Sequence, residues 1–283
     1  MPSRTTDTPN EWSESADIIS RFLALQQIYS AKELESYLQS LQHNKEHKSD
    51  SENRPTDVVI LCASAILAIP EAVFEWAMQQ QSQEEERQRN TVMVLCGGIG
   101  PCTPFVYDAI RASKKYCTIF DTINGKPEGE VLQVMAERFY KLQINETGSQ
   151  DHEFRILVSD RSNNCGADAS EAKAVLQENG IFSPRSMVVV QDPAMSSRTI
   201  SSFEKVYESD AVQISCWPRL RQTTENEPEK GVRRELWSMD RFLDRIIGKQ
   251  GGVIRAKSPI GIPNEVENAW SAIMDESSLK VFS

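Results

Sequence analysis

From Asp57 to Trp217 the chain alternates short apolar runs with longer amphipathic patterns, and this rhythm constrains its fold more than any other feature. The strand-like runs are Val58–Cys62, Val92–Cys96, Cys117–Phe120, Phe154–Val158, Met187–Val190 and Val212–Ser215. Between them helical spacing recurs at about 70–82, 104–114, 128–142, 167–179 and 197–208. Strands joined by helices run parallel, because each crossover carries the chain back to the same end of the sheet. The expected fold is α/β: a Rossmann-like doubly wound, mostly parallel sheet with flanking N- and C-terminal helices.

Around that core the pattern changes. Residues 13–43 predict two amphipathic helices broken near Ser30, and the charged run His43–Asn53 predicts a linker. After Trp217-Pro218 comes a charged segment at 221–235, then a helix at about 236–247, a Gly-rich turn at 248–252 and a terminal helix near 264–276. This divides the chain into N-terminal helices and linker at 1–54, a core at 55–217 and a helical appendage at 218–283.

Charge and cysteine usage exclude several function classes. With a net charge of −10 and no basic stripe, the chain has nothing to neutralise a phosphate backbone, so no nucleic-acid partner is expected. The six cysteines are dispersed, most of them at the ends of apolar runs, as buried thiols are and disulfide frameworks are not. No CxxC occurs and the histidines fall in polar stretches, so no metal site is expected. The opening MPSRTTDTPNEW lacks a charged-then-apolar leader pattern, which predicts an intracellular, cytoplasmic protein. The longest apolar stretch, Val58–Ile69, is too short to span a bilayer and reads as a buried strand plus a helix start. Peripheral association with a membrane surface stays open.

The segments directly after the strands carry the chemistry. In an open parallel sheet they lie along one rim, where such folds bind ligands. Here that rim receives Ser64, then the glycine turn Gly97-Gly98-Ile99-Gly100, then Asp121 and Glu128, then Asp160 to Gly166, then Gln191-Asp192. Thr103 as N-cap and Pro104 in the first turn would open a helix after the glycines. Glycines let a backbone approach a phosphate or carboxylate, and N–H groups at helix starts attract negative charge. The competing reading is a tight turn that needs glycine for geometry alone. Asn164 and Asp192 fit equally as helix N-caps, and Glu128 as a carboxylate complementing a helix dipole. Cys165 reads as a reactive or a buried thiol and Arg198 as an anion contact or a surface pair, while Arg161 is expected to stand near the ligand.

The runs RSNNCG (161–166), VVVQDPAMSSRT (188–199), LCGGIGPCT (95–103) and GKPEGEVL (125–132) resemble the YdcF branch of the SanA/ElyC/YdcF family. The likeness extends through ELWSMDRFL (235–243) to NAW (268–270). It implies a Rossmann-like core, a smaller helical appendage and a crevice for a nucleotide-like ligand, with S-adenosylmethionine the candidate. The positions matching the family pattern are Gly97, Gly98, Gly100, Thr103, Glu128, Asp160, Ser162, Asn164, Cys165, Gly166, Gln191, Asp192, Met195 and Arg198. The chain also departs from the pattern. Pro101-Cys102 replaces a histidine and serine, and Ala167-Asp168 replaces Glu-Asn. A Gly/Tyr-rich segment with its histidine is mostly missing between Ile254 and Ile262.

These residues support two readings. In one, the rim binds a small nucleotide-like or anionic molecule through Gly97, Gly98, Gly100, Thr103, Ser162, Asn164, Gly166, Gln191 and Arg198. In the other, the chain is a transferase or hydrolase whose carboxylates Glu128, Asp160 and Asp192 supply the base or hold a metal. Loss of the family histidines favours the first, and retention of the carboxylates favours the second.

Overall fold

The computed structural model describes residues 15, 18–19, 22, 27–43, 55–82, 90–144, 154–217, 264–269 and 271–272. The chain divides into two compact units, Leu25–Thr223 and the pair Met1–Ala24 with Thr224–Ser283. In the second unit, residues 15, 18–19, 22, 264–269 and 271–272 are helical, with Ile19, Val266 and Ala269 buried. The helix expected at 236–247 and the turn at 248–252 lie outside the described residues.

The first unit is built on five parallel strands: β1 (Thr56–Cys62), β2 (Asn90–Cys96), β3 (Phe154–Ser159), β4 (Ser186–Val190) and β5 (Gln213–Trp217). Their spatial order is β3-β2-β1-β4-β5, so the order reverses beside β1, as in a doubly wound Rossmann-like sheet. β1, β2 and β4 lie inside the sheet with helices over both faces, which is why TDVVILC, NTVMVLC and SMVVV are almost continuously apolar. Val58 to Leu61 are all fully buried. Each such side chain contributes about 1.5–3 kcal/mol relative to exposure.

The helices are α1 (Ala31–His43), α2 (Ala68–Ser82), α3 (Thr103–Ala112), α4 (Glu128–Tyr140), α5 (Cys165–Glu178) and α6 (Pro193–Val206). Alternation along the strands assigns them to faces. Val58, Ile60, Val92 and Val94 pack with Ala172 and Leu176 of α5 and with Ile200 and Phe203 of α6. On the opposite face Trp76 of α2 meets Phe154 edge-on at 5.6 Å, and Phe74 meets Tyr140 of α4 at 5.1 Å. α1 belongs to this unit too. Its Glu35 accepts from Trp76 and Gln80, and its Tyr37 hydroxyl accepts from Ser215 of β5.

The run Cys117–Phe120, expected as a strand, is a 3₁₀ turn over Cys117–Ile119 leading into a short helix over Phe120–Ile123. Tyr116, Ile119 and Ile123 are buried while Cys117 and Thr118 are exposed, a spacing of three and four that a strand cannot present to one core. Four residues, one of them Thr118, were too few to separate the two periods. Val58–Ile69 divides as expected into β1 and the start of α2. Among the described residues no helix is long and apolar enough to cross a membrane.

Candidate functional site

The carboxyl ends of β1, β2 and β3 are level, with Cys62 opposite Cys96 and Cys96 opposite Ser159. The segments leaving these strands therefore meet at one rim. Gly97 continues β2 and donates to the Ser159 carbonyl at 2.9 Å. Its φ of +152° is one that side-chain-bearing residues rarely adopt. A Cβ there would also lie 2.9 Å from both Cβ and Oε2 of Glu128. The Glu128 carboxylate thus sits directly on the carboxyl end of β2, delivered by the first residue of α4. Thr103 Oγ1 donates to Glu128 Oε1 at 2.9 Å and accepts from the Gly100 N–H at 2.9 Å. Tyr107, one turn on, donates to the Lys126 carbonyl at 2.6 Å. Burial raises its phenol, with the Glu128 charge adding to the rise.

Gly98 is used differently from the sequence expectation. The space left by its missing side chain is filled by the chain itself: a Cβ there would stand 1.6 Å from the Ser162 carbonyl oxygen. The Gly98 N–H donates to Ser162 Oγ at 2.7 Å, and Ser162 Oγ donates onward to Asp168 Oδ1 at 2.5 Å. A Cβ at Gly100 would likewise press on the Asn163 carbonyl at 2.9 Å. Ser162 is buried, and burial pushes the Asp168 carboxyl upward, partly offset by the hydrogen bond it accepts. The loop after β2 and the loop after β3 are thereby locked together.

The helix starts, expected to present N–H groups to a ligand, have them engaged within the chain. At α4 the Glu128 and Gly129 N–H groups donate to the carbonyls of Gly98 (3.1 Å) and Gly97 (2.5 Å). At α5 the Asn164 side chain accepts from Gly166 (3.0 Å) and Ala167 (3.1 Å). At α6 Asp192 accepts from Met195 at 3.2 Å. α3 begins at Thr103 rather than after it. Cys102 occupies the N-cap without a side-chain cap, and Pro104 stands in the first turn as expected.

The rim thus brings Gly97, Gly98, Gly100, Thr103, Glu128 and Ser162 into one connected cluster and adds Asp168, which sequence reading noticed only as a departure. Gln191 and Asp192 lie just beyond β4, the neighbour of β1, and both are buried. The Gln191 Oε1 is turned back onto the Asp192 N–H at 2.7 Å. Met195 is buried two residues beyond Pro193. Asn164, Gly166 and Arg198 are exposed. Arg161, expected near the ligand, pairs with Glu171 (3.2 Å) and Glu178 (3.5 Å) along α5. Cys165 opens α5. Asp160 lines a separate groove at the outer side of β3. β3 and β4 are separated by β2 and β1, so Asp160 and Asp192 stand about three strand spacings, roughly 14 Å, apart. Among the described residues no three His, Cys, Asp or Glu side chains gather as a metal set.

Sequence reasoning missed the network at the opposite end of the sheet. Asp57, fully buried, accepts from Arg185 Nε (3.0 Å), Arg185 Nη2 and Ser186 Oγ (2.7 Å). The available signal was an acid placed second in the otherwise apolar strand TDVVILC. Of the thiols, Cys62, Cys96 and Cys216 are buried, and burial pushes Cys216 up to about 12.

Fold and rim together define a doubly wound α/β protein with a polar cluster at the carboxyl end of its sheet. No family model matches the chain.

Proposed function

We propose that this chain binds a nucleoside-bearing small molecule at the carboxyl rim, with S-adenosylmethionine the leading candidate, as a YdcF-like protein would. The observation that carries this reading is the Glu128 carboxylate resting on the end of β2. Doubly wound nucleotide-binding folds use an acidic residue to take the ribose hydroxyls. The end of β2 itself offers only Val94-Leu95-Cys96, but Glu128 brings a carboxylate to that place from α4. Beside it the loop after β1 is Ala63-Ser64-Ala65, next to the β1/β4 reversal where doubly wound sheets take their ligands.

A carboxylate-driven transferase or hydrolase has less support. Its three acids are dispersed, with Asp160 at the outer edge and Asp192 buried as a helix cap.

Thermal-shift titration tests the binding reading with three probes: S-adenosylmethionine, adenosine and 2′-deoxyadenosine. A ligand that binds only the native state raises the melting temperature by mass action. The two ribose ligands are expected to raise it more than the deoxy compound, and Glu128→Gln to erase that difference. No shift with either ribose ligand at millimolar concentration would overturn the proposal.

A further inference from the structure

The two edges of the sheet are finished differently. At β5 the chain covers its own edge: the N–H groups of Gln27 and Ile28 donate to the Cys216 carbonyl at 3.2 and 3.1 Å, and Gln27 Oε1 accepts from the Cys216 N–H at 2.8 Å. β3 forms the other edge. Because the Gly97 N–H reaches the Ser159 carbonyl, the backbone groups of Ser159, Leu157 and Arg155 face β2. Those of Phe154, Ile156 and Val158 therefore point outward, and among the described residues nothing bonds to them. At the carboxyl end of this edge lies a groove of about 780 Å³, lined by Leu157 and Val158 of β3, Gln133 and Glu137 of α4, and Val175 and Glu178 of α5. An open row of backbone donors and acceptors between two helices is the geometry that accepts an added strand.

The charge on the walls selects the occupant. Among the described residues lining the groove, Glu137, Glu178 and Asp160 stand against one cation, Arg161, itself paired with Glu171 and Glu178. A second copy of this chain would bring the same acids against these. We infer that the β3 edge binds an extended basic peptide of a partner protein by strand addition, with its Lys or Arg side chains directed at the acids of α4 and α5.

The test uses a fluorescein-labelled octapeptide, Val-Lys-Lys-Val-Val-Arg-Lys-Val, which as a strand carries two basic and two apolar side chains on each face. The control has glutamate at every basic position. Fluorescence anisotropy at 150 mM salt is expected to give at least tenfold tighter binding of the basic peptide. Val158→Pro removes an outward N–H without changing charge and is expected to weaken binding at least tenfold. Glu137→Lys with Glu178→Lys is expected to reverse the preference. Should Val158→Pro fail to fold, two forms of the basic peptide replace it, N-methylated at odd or at even residues. One form must lose binding at least tenfold while the other retains it. Absence of binding, or equal affinity for a folded Val158→Pro or for both methylated forms, would show only electrostatic adsorption and overturn the inference.

Discussion

Both ends of the sheet carry carboxylates, and the two ends meet them with different partners. At the amino end Asp57 meets an opposite charge: the Arg185 guanidinium grips both its oxygens, and Ser186 supplies a further hydrogen bond. At the carboxyl end Glu128 is met by a threonine hydroxyl, Asp168 by a serine hydroxyl and Asp192 by a backbone N–H. The first arrangement is a closed tie between β1 and β4 that also reaches α1, since Arg185 Nη1 contacts the Leu41 carbonyl at 3.5 Å. In the second, each of these contacts comes from a neutral donor. Residue type alone does not separate the two roles. The partner does.

The comparison breaks most readily at the amino end. Asp57→Ala strands the Arg185 charge, whose side chain is only 11% exposed, and is expected to cost about 3–5 kcal/mol in urea unfolding. The double variant Asp57→Ala/Arg185→Ala is expected to lose less than the two single losses added, because the residues form one interaction. Strict additivity would show that the tie contributes nothing. A smaller effect belongs to the rim. Gly98→Ala forces the Ser162–Asn163 loop to move and is expected to cost about 1–3 kcal/mol in the same assay. A neutral Gly98→Ala would mean that the two loops are not locked.

The smallest effect concerns pH and sharpens the contrast. Burial raises the folded-state value of Asp168, so its contribution to stability is fully present below the unfolded carboxyl value of about 3.9 and is lost as pH rises through the raised value. Asp168→Asn keeps the acceptor for Ser162 and removes this titration. Relative to wild type, the variant is therefore expected to gain stability between pH 4 and pH 7, measured by urea unfolding at both. A stability difference that does not change with pH would mean that the Asp168 carboxyl titrates alike in both states.

What the sequence by itself determined here is what local period carries. The parallel alternation and the helices at α2 to α6 to within a few residues come from side chains that repeat every two or every 3.6 residues, whereas for Asn164 and Asp192 the sequence left a helix cap and a ligand contact both open. Where the local signal was short it failed, as at Cys117–Phe120, whose four residues fit either period. Only the tertiary structure decided the partners. Gly98 owes its lack of a side chain to Ser162, 64 residues away, and Asp57 is answered by Arg185 at a separation of 128. Glu128 could be read as a helix-start acid but not as the carboxylate that stands on β2. Which loops become neighbours depends on the strand order β3-β2-β1-β4-β5, and that order is set by how the helices cover both faces together, not by any one segment.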